Sequence, residues 1–152
     1  MARGISPVIG VVLLVACTVA LSVTVGAMAY AYEPVEPASA VVVAGEADAE
    51  RDRITLTLDG GGPLDVRDLT VLVEIDGTEL ETQPPVPFFG SSGFSYAFGP
   101  FNPSAEPVWE RGESAGFALA STNDPVLESG STVEIRIYEN GLSIATVETT
   151  AA

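Results

Sequence analysis

The chain has 152 residues, with 21 Asp and Glu against six Arg and no Lys or His, and a formal net charge of −15 at pH 7. A surface this negative repels phosphate and has no basic stripe, which argues against nucleic acid as a partner. Without His or Lys the commonest general base and the Schiff-base nucleophile are missing, and a single Cys permits no internal disulfide, so the sequence reads as a non-enzyme.

Residues 5–32 contain no charged side chain. All 21 acids and five of the six Arg lie beyond Tyr32, so residues 33–152 carry a formal charge of −16. At ~1.5 Å per residue the uncharged segment reaches about 42 Å as a helix, enough to cross a hydrocarbon core ~30 Å thick. Val11, Val12, Leu13, Leu14, Val15, Val19, Leu21, Val23 and Val25 put apolar surface on every side, as for a helix in lipid or among other apolar helices. Pro7 follows Ser6 in the first turn, where its missing N–H is tolerated. Ser22 and Gly26, four apart, form a small-xxx-small pair that lets another helix approach closely, although small residues are also simply frequent in membrane helices.

Four fates are open to this segment: a plain anchor, a cleaved secretory signal, a lipoprotein signal, or a pilin-type leader whose helix is kept. Ala27-Met28-Ala29 fits a small-x-small cleavage site, but the apolar run before it is about twice the usual 7–15 residues. Leu14-Val15-Ala16-Cys17 looks like a lipobox, yet a lipidated Cys17 would leave a long uncharged stretch on the mature chain. A lone Cys in such a helix reads as a small packing residue.

Arg3-Gly4 followed by Ile5-Ser6-Pro7-Val8-Ile9-Gly10-Val11-Val12-Leu13 resembles the amino-terminal domain of archaeal type IV pilins, the haloarchaeal kind especially, over residues 3 to about 32. The resemblance implies that residues 1–4 are a leader, cut by prepilin peptidase between Gly4 and Ile5. Bacterial relatives often carry a Glu five residues into the mature chain. Ile9 stands there instead, in keeping with the archaeal Ser-Pro-Val-Ile-Gly variant. It further implies a precursor in the cell membrane with its amino end cytoplasmic, then a cell-surface filament serving adhesion or assembly. Its partners would be prepilin peptidase, other pilin subunits and the pilus assembly machinery. The processing has a physical logic. Removing Met1–Gly4 removes Arg3, the only positive side chain on that flank, which helps hold it inside. One heterologous contact repeated around a non-closing rotation then gives a fibre.

Glu33-Pro34-Val35-Glu36-Pro37 stops the helix and begins a stiff connector over residues 33–39. Residues 40–152 are one domain's worth of chain, and their apolar residues alternate. Val41-Val42-Val43 and Phe117-Ala118-Leu119 predict strands. So do Ile54/Leu56/Leu58, Leu69/Val71/Val73/Ile75, Val133/Ile135/Ile137, and a last strand with Leu142, Ile144 and Val147. Asp76-Gly77 and Asn140-Gly141 are hairpin signals, and Gly60-Gly61-Gly62-Pro63 separates two strands. The expected fold is an apolar transmembrane helix followed by an all-β domain, an antiparallel sandwich of about seven or eight strands, with a partly open barrel as the alternative.

From Gln83 to Glu113 no strand pattern shows, yet this interval holds five of the six Phe and the only Trp. Phe88, Phe89, Phe94, Tyr96, Phe98, Phe101 and Trp109 are therefore candidates for a partner surface, or else rings that fold back to plug the sandwich. Glu46-x-Asp48-x-Glu50-x-Asp52 alternates acids but lacks the glycine turn of a calcium loop, and reads as a solvated face. No cofactor or metal is expected. The absence of Lys and the excess of carboxylates point to a protein suited to high salt, where the Debye length is only ~3 Å at 1 M. A second functional reading is a membrane-anchored surface domain that binds a solute or partner without polymerising.

Overall fold

The computed structural model describes residues 5–31, 41–88 and 90–152. The leader at 1–4, with Arg3 and Gly4, the connector at 33–39 and Phe89 lie outside the described residues. The chain divides into two compact units, a helix and a β-domain.

The helix, α1 (Ile5–Ala31), runs 27 residues with no acid in its first turn and no base in its last. Its apolar window Ile5–Ala27 is long enough to cross a membrane. Three hydroxyls within it are satisfied by the helix itself. Thr18 Oγ1 donates to the Val15 carbonyl (2.8 Å), Ser22 Oγ to Thr18 (2.7 Å) and Thr24 Oγ1 to Leu21 (2.9 Å). Such local bonding removes the penalty of a hydroxyl in hydrocarbon.

The β-domain has ten strands: β1 (Val42–Asp48), β2 (Arg53–Gly60), β3 (Leu64–Asp65), β4 (Leu69–Ile75), β5 (Thr78–Glu79), β6 (Phe94–Phe98), β7 (Val108–Trp109), β8 (Ser114–Leu119), β9 (Thr132–Glu139) and β10 (Leu142–Thr150). They form a sheet ordered β1-β2-β8-β6, a second ordered β10-β9-β4-β5, and a two-stranded piece β3-β7, every pair antiparallel. The two larger sheets make a sandwich. Ile54, Leu56, Leu58, Ala115 and Phe117 of one share a buried core with Val71, Val73, Ile75, Val133, Ile135 and Ile137 of the other. One side is joined by the last residues of the chain: Ala152 N–H donates to Ala47 (3.0 Å) and Ala49 N–H to Ala152 (3.0 Å).

Alternation explains most of this. Alternate residues from Ile54 to Leu58 in β2, from Leu69 to Ile75 in β4 and from Val133 to Ile137 in β9 are buried, so each strand turns one apolar stripe inward. Asp76-Gly77 and Asn140-Gly141 both adopt left-handed backbone at two successive residues (φ 51 and 79, 48 and 83), the twist that a two-residue hairpin requires. Six of the seven longer strands fall where the pattern predicts them.

Leu142, Ile144 and Val147 all lie in β10 as expected, with Leu142 67% exposed. The β9–β10 register slips between Ser143 and Ala145, and that extra residue turns the start of β10 over before Val147 re-enters the core. One expectation is corrected: the interval 83–113 is not free of strands. It contains β6 at the edge of the first sheet and the short β7, which pairs Trp109 with Leu64.

Candidate functional site

Two features merit a functional reading: the helix and the aromatic interval. Among the described side chains of α1, every large apolar one from Ile5 (61%) to Val25 (66%) is more than half exposed. Burying a Val or Leu side chain is worth roughly 1.5–3 kcal/mol, so covering this helix stabilises it by on the order of 20 kcal/mol. By length and composition the helix is a candidate membrane span. Ser22 and Gly26 lie on one side, and a methyl group added at Gly26 or Gly10 would meet nothing within 4 Å in this chain. No contact within the described residues explains either glycine.

The aromatic interval is mostly core, which corrects the expectation of a partner surface for four of its rings. Phe88, Phe94, Phe101 and Trp109 are buried. Phe94 meets Phe117 edge-on at 5.4 Å and Phe88 at 5.2 Å, while Phe101 packs edge-on against Trp109 at 5.3 Å. The indole Nε1–H of Trp109 donates to the Glu113 carbonyl (2.9 Å), so its polar edge is satisfied inside the core. These rings plug the sandwich. A domain of this size needs their area.

Among the described rings, Tyr96 and Phe98 remain at the surface, on the outer face of the first sheet. Tyr96 is 50% exposed. The Phe98 ring lies over Gly116, where a Cβ would collide with it, and the Arg53 guanidinium stands 5.8 Å from its centre. Arg53 Nε is buried there without a hydrogen-bond acceptor. Sequence reasoning missed this pairing because Arg53 and Phe98 are brought together only through β2, β8 and β6.

Two amides that hold the interval in place were also missed. Asn123 is 3% exposed and accepts from Thr82 N–H (3.1 Å) while donating to the Thr82 (3.0 Å) and Gly93 (3.2 Å) carbonyls. Gln83 accepts from Val73 N–H (2.8 Å) and returns a bond to its carbonyl (3.0 Å), replacing a neighbouring strand along β4. Each amide thus satisfies a backbone N–H, that of Val73 or Thr82, and adds a second bond to a carbonyl that already accepts from Leu80 or Ala120 N–H. Asn123 sits in Ser-Thr-Asn-Asp-Pro, which signals a turn and nothing about burial.

Five of the acids form ion pairs with Arg, and four of these, Asp48, Asp65, Glu74 and Glu134, are half-buried. Asp48, from the alternating run, accepts from Arg51 Nη1 at 2.6 Å, and this bond lowers its carboxyl below the usual range. The Arg67 side chain and backbone N–H hold Asp65 down at about 2. On the outer face of the second sheet Arg136 pairs with Glu74, with Glu134 at 3.2 Å and with Glu79 at 3.7 Å. Among the described residues no group of three or more His, Cys, Asp or Glu is arranged to hold a metal ion. A cleft of about 680 Å³ beside the β1–β2 turn has Arg51 as its one cation, already bound to Asp48. No protein-family model matches the chain, and no curated protein matches it either.

Proposed function

We propose that this chain is a pilin-like structural subunit, made as a membrane precursor, cut by prepilin peptidase between Gly4 and Ile5, and assembled with other pilin subunits and the assembly machinery into a cell-surface filament. The observation that carries the reading is a coincidence within one segment. The string from Arg3 to Leu13 resembles a pilin leader, and it runs into a 27-residue helix apolar on every side. Lipid covers such a helix in the precursor, and identical helices cover the same surface in a filament. The acidic, Lys-free domain supports a surface that works in brine, where crowded carboxylates are screened.

The experiment is Gly26→Leu, scored for membrane fraction and for filament yield. Leucine raises both hydrophobicity and helix propensity, so a simple anchor accepts it. A filament core that packs a neighbouring helix over Gly26 loses its groove. The reading predicts normal membrane insertion with filaments lost. Full filament yield would remove the packing role of Gly26.

A further inference from the structure

Thr82 to Ala105 is 24 residues without a charged side chain, inside a segment (33–152) that carries 26 charges in 120 residues. At that density a run of this length would hold about five. Burial accounts for part of the deficit, because Pro84, Phe88, Phe94, Pro100 and Phe101 are buried. It does not account for Gly90, Ser92, Ser95, Tyr96, Pro103, Ser104 and Ala105, which are exposed and still uncharged. Exposed positions elsewhere in the domain are where its acids sit.

The strip follows a sheet edge. β6 ends the order β1-β2-β8-β6, and a groove of about 250 Å³ runs beside it, lined by Phe88, Phe94, Ser95, Tyr96 and Asn102 among others. Natural sheet edges are commonly guarded by charge. The other edge strands of the two larger sheets have it: Glu46 and Asp48 on β1, Glu79 on β5, Glu148 on β10. β6, Phe-Ser-Tyr-Ala-Phe, has none.

We propose that this uncharged strip along β6 is the surface on which the β-domain of a second copy of this chain docks, with Tyr96 as its anchor. Charge selects the occupant. Two copies that each carry −16 beyond Tyr32 bring unpaired carboxylates together wherever acidic faces meet, and burying them strips their water with no cation in return, a cost that salt does not screen. The strip is where two such bodies touch without that cost. A basic partner would choose an acidic face, and an anionic membrane would be repelled by the surrounding rim. The make-up of the strip is that of an interface core, depleted of charge and centred on an exposed tyrosine. The inference rests on the proposed assembly of identical chains and assigns the β-domain its share of that contact.

The test is photocrosslinking of the full chain in its native membranes at molar salt, with p-benzoylphenylalanine placed singly at Tyr96, at Thr146 on the second sheet, and at Leu21 in the helix. The expected result is a light-dependent adduct of twice the chain mass at Tyr96, at least about tenfold above that at Thr146. The docking proposal is overturned by no adduct at Tyr96, by an adduct with a different molecule, or by equal yields at Tyr96 and Thr146. Leu21 reports on helix assembly separately. A chain-to-chain adduct there with none at Tyr96 removes the strip and leaves the filament reading standing, whereas none at either position removes both.

Discussion

Replacing Phe101 with alanine should destabilise the β-domain by about 4 kcal/mol, while the same change at Tyr96 should cost under about 1 kcal/mol. The difference comes from where the rings lie. Phe101 is fully buried and meets Trp109 edge-on at 5.3 Å; Tyr96 is half exposed. Large-to-small changes at buried aromatic sites cost roughly 3–5 kcal/mol, and a well-placed ring pair accounts for about 0.5–1.5 kcal/mol of interaction beyond buried area. The pocket behind Phe101 cannot collapse easily, because the Phe101 carbonyl holds Phe88 N–H (3.1 Å) and Pro100 precedes it in a fixed turn. Against a typical total stability of ~5–15 kcal/mol, this loss should lower the melting temperature by roughly 15 °C or more. Trp109 is the only Trp and is buried, so its fluorescence during denaturant unfolding in molar salt reports the transition, with far-UV circular dichroism as a second probe. A Phe101→Ala cost below about 1 kcal/mol, or equal costs at the two positions, would refute the placement of the aromatic interval in the core.

Salt and pH supply two further checks. Lowering salt from ~1 M to ~0.1 M lengthens the Debye length from ~3 to ~10 Å, so repulsion among the acids should lower the melting temperature; a flat or rising value would contradict the brine reading. The Asp65 carboxyl, held at about 2 by Arg67 against an ordinary 3.8, contributes stability that is fully present at neutral pH and lost as pH falls from about 4 through about 2. Asp65→Asn should abolish that contribution, and an NMR titration placing the carboxyl near its ordinary value would show that the ion pair does not form in solution.

Much of the fold is legible in the chain because a sheet with one buried face writes its period into the sequence. Ile54, Leu56 and Leu58, or Val133, Ile135 and Ile137, can satisfy burial only as a strand with one face inward. What escapes is whatever breaks that period. Phe94-Ser95-Tyr96-Ala97-Phe98 does alternate, but Gly93 and Gly99-Pro100 bound it too closely for it to stand out as a strand, and an unbroken strand would put all three rings on one side. The register slip between Phe94 and Tyr96 instead sends Phe94 into the core and leaves Tyr96 and Phe98 on the outer face. A bulge is set by the neighbouring strand and carries no local sign here. The latches at Gln83 and Asn123 were equally silent, since an amide that replaces a backbone partner across 10 or 41 positions looks like any loop residue. The helix was legible for the opposite reason. Nothing tertiary is needed to read a charge-free run of that length.

The proposed processing is tested most directly by the intact mass of the mature protein, purified from native membranes or from sheared filaments. The account predicts a chain that begins at Ile5, with Met1 to Gly4 removed. A chain that begins at Met1 or Ala2 would mean a permanent anchor, and one that begins near Tyr30 would mean a secreted β-domain. Either result contradicts the account.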